Sequence, residues 1–318
     1  MSAAIEIKEL CKQYGKRLAV DGLSLTVAEG EVFGFVGPNG AGKTSTIRII
    51  AGLLQPTSGD VNVAGFSIRE SLPEIKRRIG YMPDYFGVYP DLSVQEYLEF
   101  FSACYQIPEA RQAALIDELL ELVELHHRKQ DMVDQLSRGL KQRLSLARTL
   151  IHDPQVLLLD EPAAGLDPRA RIEIRELLVE LAHMGKTVFF STHILSDVAE
   201  ICTQVGIIEA GKLVAAGSLE ELHLQVLPCR QIEMTLLDRL DETAALLETQ
   251  ERVSEIEPHP AQNETGRQRL TFKFDGDDAA LSRLLAYLIQ NQVTVLHFSE
   301  DARNLEDVFM RTTRGIVS

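Results

Sequence analysis

The chain of 318 residues is 45% hydrophobic and 25% charged, so it is long enough to bury a large core and to form two domains. Its formal net charge of -15 argues against a general nucleic-acid-binding protein, which needs a basic surface. The sequence contains neither an apolar run of about 18 residues, which could span a bilayer, nor the pattern of a signal peptide. We therefore expect a cytoplasmic protein that does not bind nucleic acid.

The first 36 residues alternate short apolar runs with turn signals, a pattern typical of strands. The runs are IEIKEL, LSLTV and EVFGFV. After a glycine-rich loop, the segment TSTIRIIAGLL has the apolar spacing of a helix, through Ile47, Ile50, Leu53 and Leu54. The order is therefore strand, glycine loop and helix.

The next block, at about 84–152, is predicted to be helical. Ser93 and Glu96 stand three residues apart before an apolar run, which is a capping-box pattern. Beyond this block, apolar strands alternate with helical segments, and the strands are QVLLLD, KTVFFST and QVGIIEA. This alternation predicts a mostly parallel sheet covered on both faces, into which the helical block is inserted.

A hairpin with its turn near Gly211 is predicted for IIEAGKLVAAG. We place the end of the first domain there and assign it residues 1–224. Residues 225–318 follow the order strand, helix, strand, strand, helix, strand, which predicts a small α+β domain of ferredoxin-like order. The last segment, NLEDVFMRTT, is predicted to be a short amphipathic helix.

The glycine-rich loop GPNGAGKT fits the pattern GxxxxGK[ST], and it lies between a predicted strand and a predicted helix. Glycines allow backbone N–H groups to converge on phosphates, and the helix N-terminus adds a partial positive charge. We expect Lys43 to reach the β and γ phosphates and the Thr44 hydroxyl to ligate Mg²⁺. The predicted nucleotide-binding residues are Gly37, Pro38, Asn39, Gly40, Ala41, Gly42, Lys43, Thr44 and Ser45.

A second polar motif ends the apolar run VLLLDEP. Asp160 stands at the C-terminal end of a predicted buried strand, where ligands gather in α/β sheets. We expect Asp160 to hold Mg²⁺ through its water shell and Glu161 to act as general base or to polarise the attacking water. Alone, an Asp-Glu pair would indicate a solvated turn, so this assignment depends on the glycine loop.

Six elements in order resemble those of the ATP-binding cassette (ABC) ATPases, over about residues 5–222. Two are the motifs above, which match the family's Walker A and Walker B sequences. The other four are LSRGLKQR (136–143) at the signature position, AAGLDP (163–168) at the D-loop, STH (191–193) with the switch histidine, and the aromatic Tyr14. The resemblance implies an ATPase with a P-loop NTPase core, in which a RecA-like sheet joins an N-terminal antiparallel β subdomain and an inserted helical subdomain.

The resemblance also implies roles for single residues. Tyr14 would stack on adenine, and His193 would contact the γ-phosphate. Ser137 can cap the helix that begins at the signature, which leaves N–H groups to bind a γ-phosphate. Because the helical insertion separates the signature from its own P-loop, we expect a head-to-tail homodimer in which Ser137, Arg138 and Gly139 bind ATP in trans.

Four positions depart from the family pattern, and one of them is Leu140, which replaces the signature glutamine. Asp84 replaces the Q-loop glutamine, and an ionised carboxylate accepts hydrogen bonds but cannot donate them. Since Asp is a good ligand for hard cations, we assign Asp84 to the Mg²⁺ site with Thr44 and Asp160. Arg138 replaces the first signature glycine and adds a guanidinium, and Ala164 replaces the D-loop serine.

The signature, the acidic Q-loop residue and the C-terminal tail resemble the bacterial multidrug and antibiotic-export branch, which is similar to ABCA-type proteins. In that branch a separate ATPase chain drives a membrane permease, which would place this chain peripherally on the inner face of the cell membrane. Its C-terminal domain is expected to aid dimerisation or regulation. The segment YFGVYPDLS, within 84–91 and just beyond, either docks the permease or packs beneath the insertion.

Two other classes of protein remain as alternatives. A soluble ABC ATPase with a ribosome- or DNA-associated function is disfavoured, because the chain has one cassette, no heptad run and an acidic composition. A metabolic P-loop kinase would not need the signature or the D-loop.

Overall fold

The structure, a computed structural model, describes residues 2–85, 87, 89, 91–226, 230–259 and 267–300, with side chains outside 223–226. These residues fall into two compact units that divide between Leu219 and Glu220. The amphipathic helix predicted in NLEDVFMRTT lies outside the described residues.

The strands of the first unit follow one another along the chain as β1 (Ala3–Tyr14), β2 (Arg17–Ala28), β3 (Val32–Val36), β4 (Ser58–Val63), β5 (Phe66–Ser67), β6 (Ile79–Met82), β7 (Val156–Asp160), β8 (Thr187–Thr192), β9 (Gln204–Glu209) and β10 (Lys212–Gly217). Its helices are α1 (Lys43–Ile50), α2 (Leu72–Arg78), α3 (Val94–Cys104), α4 (Glu109–Leu122), α5 (Arg138–Leu150), α6 (Pro168–His183) and α7 (Leu195–Ile201). Helix α8 (Leu219–Val226) follows at the junction.

Two sheets form this unit within the described residues. One is antiparallel, with strand order β2-β1-β4-β5. The other has the order β10-β9-β3-β8-β7-β6 and is parallel except for β10, which pairs antiparallel with β9 in the predicted hairpin. The predicted α/β fold, with a P-loop core sheet and an N-terminal antiparallel sheet, is confirmed.

The central strands β3, β7 and β8 are buried along their whole length, as their continuous apolar sequences require for strands covered on both faces. Their register aligns the C-terminal ends of the three strands, because Val36 pairs with Thr192 and Asp160 pairs with Ser191. The residues that follow β3, β7 and β8 therefore leave the sheet side by side at its carboxyl edge.

Helix α1 is shorter than the sequence predicts. It ends at Ile50, and Leu53 is exposed instead of continuing the apolar face. The cause is Gly52, which adopts a left-handed φ of 66° and packs so closely against Leu72 that a Cβ would overlap its side chain. The helix therefore stops one turn early.

Helices α3, α4 and α5 lie between β6 and β7 in the chain, and two 3₁₀ turns, His126–Arg128 and Val133–Gln135, connect α4 to α5. The predicted capping box is confirmed, since the Ser93 hydroxyl accepts from the Glu96 N–H and the Glu96 carboxylate accepts from the Ser93 N–H.

The second unit contains β11 (Arg230–Leu236), α9 (Leu240–Glu248), β12 (Val253–His259), β13 (Gln268–Phe274), α10 (Asp278–Gln290) and β14 (Val295–Glu300). Its described strands form one antiparallel sheet of order β12-β13-β11-β14. Apolar side chains from the sheet and both helices form a separate core, which includes Ile232, Phe272, Leu284 and Leu288. This order is that of a ferredoxin-like unit.

We expect Gly80→Ala to lower the free energy of unfolding of the first unit by about 2 kcal/mol, because overpacking a filled core costs about 1–3 kcal/mol. A Cβ at Gly80 in β6 would stand 2.6 Å from Thr149 Cγ2 and 2.7 Å from the Thr149 carbonyl oxygen on α5. Urea unfolding measures the change. Gly87→Ala, where a Cβ would meet no atom of the described residues within 4 Å, is the matched control, and equal stability of the two variants would contradict the expectation.

Candidate functional site

A cleft of about 530 Å³ opens at the carboxyl edge of the parallel sheet, a volume typical of small-ligand sites. Most of the residues predicted for nucleotide and metal binding line it. They are Tyr14, Asn39, Gly40, Gly42, Lys43, Thr44, Ser45, Asp84, Arg138, Glu161 and His193. The remaining predicted residues lie behind this lining or outside it, and each is placed below.

The glycine loop wraps tightly against neighbouring backbone. A Cβ at Gly37 would overlap the carbonyl oxygen of Ile208, and a Cβ at Gly42 would overlap that of Ala19. Gly42 also has a φ of 110°, a conformation that residues with a Cβ rarely adopt, and it is the N-cap of α1. Ala41 is buried beneath the loop. The loop therefore needs glycine at both positions to place its N–H groups at the helix N-terminus.

Lys43 is the buried cation of the cleft. Its Nζ donates to the carbonyl oxygens of Gly37, at 2.7 Å, and Pro38, at 3.2 Å. The same Nζ lies 3.3 Å from Glu161 Oε1, in an ion pair whose two side chains are only 6% and 15% exposed. Because both charges are largely removed from water, their attraction is much stronger than that of a surface pair.

Asp160 lies fully buried at the end of β7, directly behind the cleft. Its Oδ1 accepts hydrogen bonds from Ser191 Oγ, at 2.7 Å, and from Thr44 Oγ1, at 3.1 Å. Burial raises the pKa of Asp160 above its ordinary value, and the charges of Asp84 and Glu161 act in the same direction, whereas the two hydroxyl donors lower it. Its Oδ2 is buried and has no hydrogen-bond partner among the described residues.

Glu161 contacts both Lys43 and His193. Its Oε2 is 2.7 Å from His193 Nδ1, while Oε1 faces Lys43. Its backbone has φ 52°, in the left-handed region that costs a non-glycine residue about 1–3 kcal/mol. Hydrogen bonds hold it there, because Ser191 Oγ accepts from its N–H and the Ala164 N–H donates to its carbonyl. Backbone strain of this kind clusters at functional sites.

Tyr14 stands at the rim of the cleft, with 47% of its surface exposed. Its hydroxyl lies 3.4 Å from Ser45 Oγ, and the Lys12 ammonium is 5.1 Å from its ring centroid. An exposed ring at the edge of a polar cleft can stack on a planar ligand.

The three signature residues Ser137, Arg138 and Gly139 differ in whether they reach the cleft of their own chain. Ser137 caps α5 by accepting from the Leu140 N–H, as predicted, and neither Ser137 nor Gly139 lines the cleft. Arg138, however, lines the cleft of its own chain beside Lys43 and Glu161. The expectation that the insertion keeps the whole signature away from its own P-loop is therefore wrong for this side chain, because a long guanidinium reaches past the turn.

The Arg138 guanidinium also covers the D-loop. A Cβ at Gly165 would stand 2.5 Å from one of its terminal nitrogens, so the two residues are in close contact. Ala164, the preceding residue, lines the cleft as well. The signature and the D-loop of one chain therefore meet at the mouth of the cleft.

Three residues that line the site or support it were missed by sequence reasoning. Arg17 lines the cleft and donates to the Gly40 carbonyl at 3.4 Å, Ser191 holds both Asp160 and Glu161, and Gln142 donates to the Pro162 carbonyl at 3.0 Å. Ser191 had a signal, since it stands opposite Asp160 at the end of an adjacent strand. The other two depend on tertiary packing that no local pattern encodes.

Family models match both halves of the chain. A model described as ABC transporter matches residues 20–164, and a model of the C-terminal domain of DrrA1-3-like ATP-binding proteins matches residues 217–313.

Curated relatives match almost from end to end. The Nod factor export ATP-binding protein I of Paraburkholderia xenovorans is 36% identical over 98% of this chain and 97% of its own. The bacitracin transport ATP-binding protein BcrA of Bacillus licheniformis is 36% identical over 99% of each.

Solved structures share the fold of the first unit. An ATP-binding subunit of an ABC transporter is 28% identical, with a TM-score of 0.63 over 70% of this chain and 92% of its own. A dimeric ATP-binding cassette in a post-hydrolysis state, bound to ADP and Pi, is 27% identical, with a TM-score of 0.61 over 67% and 98%.

We expect Arg138→Leu to weaken ATP binding to dilute, monomeric protein by about fivefold, because a partly exposed cation near a polyphosphate contributes on the order of 1 kcal/mol. Isothermal titration at low protein concentration measures the change. Lys141→Leu is the control, since Lys141 lies on the same helix but donates to the Asp134 carbonyl outside the cleft. Unchanged affinity of monomeric Arg138→Leu would show that Arg138 does not act on the nucleotide of its own chain.

Proposed function

This chain belongs to the ATP-binding proteins of ABC transporters, and we propose that it hydrolyses ATP to power export by a separate membrane permease. The observation that carries the ATPase chemistry is the convergence of Lys43, Glu161 and His193 beside the glycine loop, with contacts of 2.7 and 3.3 Å through Glu161. The relatives named for export and transport, which match over nearly the whole chain, support the direction of transport.

In this proposal Lys43 and the N–H groups of the loop bind the β and γ phosphates, and Tyr14 stacks on adenine. Glu161 accepts the proton of the attacking water, while His193 orients the carboxylate through Nδ1 and contacts the γ-phosphate. The pairing of Glu161 with Lys43 supports this assignment, since a phosphate bound at Lys43 would bring the scissile group next to the carboxylate.

The residues at the base of the cleft fit Mg²⁺. The buried Asp160 Oδ2 lacks a partner among the described residues, and the Thr44 hydroxyl is bonded to the other oxygen of the same carboxylate. The described part of the chain has no group of three or more His, Cys, Asp or Glu side chains that could hold a metal ion. Mg²⁺ in nucleotide sites is usually bound by one or two protein side chains together with phosphate oxygens. We assign Thr44, Asp160 and Asp84 to it. When bound, Mg²⁺ would neutralise charge on the phosphates.

We further propose a head-to-tail homodimer, in which Ser137, Arg138 and Gly139 of one copy complete the ATP site of the other. The dimeric cassette bound to ADP and Pi supports this arrangement. Arg138 already lines its own cleft, so in the dimer it would lie between two sites. Closing on ATP and reopening after hydrolysis would move the permease as a rigid body.

The proposed permease contact is an aromatic surface formed by Tyr85, Tyr89 and Phe100. Tyr85 is 75% exposed, and the rings of Tyr89 and Phe100 lie 5.4 Å apart, each nearly half exposed. Beneath them Tyr97 is fully buried, so the cluster is anchored while its outer rings face solvent. Exposed aromatic clusters of this kind mark interaction sites.

The chain is expected to be cytoplasmic and to bind the inner face of the membrane through that permease. Within the described residues, every helix is too short or too polar to span a bilayer. We propose that the second unit, within the match to DrrA1-3-like C-terminal domains, serves dimerisation or regulation. The transported substrate would be selected by the permease.

Glu161→Gln is expected to lower ATP turnover at least 100-fold while ATP binding persists, because the amide keeps the shape of the carboxylate but cannot accept the proton of water. The variant should accumulate as an ATP-bound dimer, which size-exclusion chromatography with ATP would detect. Glu180→Gln, on the exposed face of α6, is the control. Turnover near that of the wild type would show that the assignment of the base is wrong.

Affinity purification of the full chain from solubilised membranes is expected to recover a membrane protein with several spans. The variant Tyr89→Ser/Phe100→Ser should lose most of that recovery and keep its ATP turnover, since it removes the aromatic surface and leaves the cleft intact. Met184→Ser, at a residue 59% exposed elsewhere, controls for general loss of surface hydrophobicity. Recovery of ribosomes in place of a permease would overturn the transport function.

A further inference from the structure

Helix α5 is the last helix of the insertion, and it contacts both the end of α4 and the loop that carries Glu161. It begins after Ser137, and two polar side chains near its start, Gln142 and Arg143, are only 4% and 5% exposed. Buried polar groups are costly unless they are hydrogen-bonded, so the partners of these two side chains determine what the helix holds together.

Arg143 ties α5 to two other helices. Its NH1 donates to the Val123 carbonyl, at 3.1 Å, and to Glu124 Oε2, at 2.6 Å, both just beyond the end of α4. Its NH2 lies 2.6 Å from Glu173 Oε2 on α6, the helix that follows the D-loop. Burial lowers the pKa of Arg143, but its bonds to Glu124 and Glu173 outweigh that effect and leave the pKa raised, so the guanidinium stays charged. The buried Arg143 guanidinium on α5 thus contacts both the end of α4 and helix α6.

Gln142 ties the same helix to the residue after Glu161. Its Nε2 donates to the Pro162 carbonyl oxygen at 3.0 Å, in a buried hydrogen bond between residues twenty positions apart in the chain. Removing the donor from such a bond leaves a buried carbonyl unsatisfied, which costs more than the bond itself contributes.

The Glu161 backbone needs support of this kind. At φ 52° it is strained, and it persists only because the surrounding structure fixes it. Ser191 Oγ, on β8, accepts from the N–H of Glu161. Gln142, on α5, donates to the carbonyl of the next residue, so hydrogen bonds hold the chain on both sides of Glu161. These two hydrogen bonds therefore help to hold the Glu161 carboxylate against Lys43 and His193.

We propose that Gln142 is a positioning residue for ATP hydrolysis, which holds Glu161 in its strained conformation and links it to the helical insertion through α5. The proposal rests on the proposed role of Glu161 as the base. Gln142 does not line the cleft, so we assign its effect on the reaction to its hydrogen bond with the Glu161 loop. A movement of the insertion that shifts α5 would pull on the Pro162 carbonyl and so change the rate of hydrolysis.

The test is Gln142→Met, which keeps the length of the side chain and removes its donor. We expect kcat for ATP to fall about tenfold with KM and ATP affinity unchanged, because the nucleotide contacts are untouched and only the orientation of the base changes. Gln112→Met is the matched control, since Gln112 also donates its Nε2 to a backbone carbonyl, that of Ile107, within the insertion. It should keep the kcat of the wild type.

Comparing Glu161→Gln with Gln142→Met separates failure of the base assignment from failure of the role proposed for Gln142. If Glu161→Gln keeps wild-type turnover, the assignment of the base is wrong. If Glu161→Gln loses turnover and Gln142→Met has the kcat of Gln112→Met, the base stands and the role of Gln142 is overturned. An equal loss in kcat and in ATP affinity would also overturn it, since that pattern indicates general damage to the site.

In the Glu161→Gln background, adding Gln142→Met should lower the residual rate by less than twofold, because the group that Gln142 positions is already absent. A further tenfold loss there would show that Gln142 acts independently of Glu161. Should Gln142→Met fail to fold, Gln142→Leu replaces it, since leucine likewise has no donor and places no charge at this buried position.

Discussion

The site depends on one largely buried carboxylate, which contacts an ammonium group and an imidazole ring. Glu161 faces Lys43 on one side and His193 on the other, and these three residues follow three different strands. They meet because β3, β8 and β7 are neighbours in parallel register, so their carboxyl ends open on the same edge of the sheet. The antiparallel sheet and the insertion then add the rim at Tyr14 and Arg138.

The sequence was a good guide wherever the chemistry is local. The glycine loop, the capping box at Ser93 and the serine cap of α5 are short patterns with a direct physical cause, and each appears where its pattern indicates. The alternation of apolar runs with helical segments also predicted the parallel sheet, and the turn at Gly211 predicted its antiparallel hairpin. Prediction was weaker where distant segments decide the outcome, as for the early end of α1, which depends on the packing of Gly52 against Leu72.

Contacts between distant segments were the main omission. The hydrogen bond from Gln142 to Pro162 and the reach of Arg138 into the cleft both arise from the way α5 packs beside the Walker B loop. Neither residue has a spacing that distinguishes it from an ordinary helical side chain. The strained backbone of Glu161 was also outside the reach of pattern reasoning, because nothing in the residue type demands a positive φ.

The contact between Arg138 and Gly165 has a consequence for how such sequences can diverge. Position 165 is restricted mainly by its φ of 67°, because the guanidinium that would stand 2.5 Å from a Cβ there is the far end of a flexible side chain. Asparagine, which tolerates a left-handed backbone, could therefore be accepted at 165 if the guanidinium moved aside. A side chain at 165 would thus act on the neighbouring position, since it would displace the Arg138 guanidinium from the D-loop.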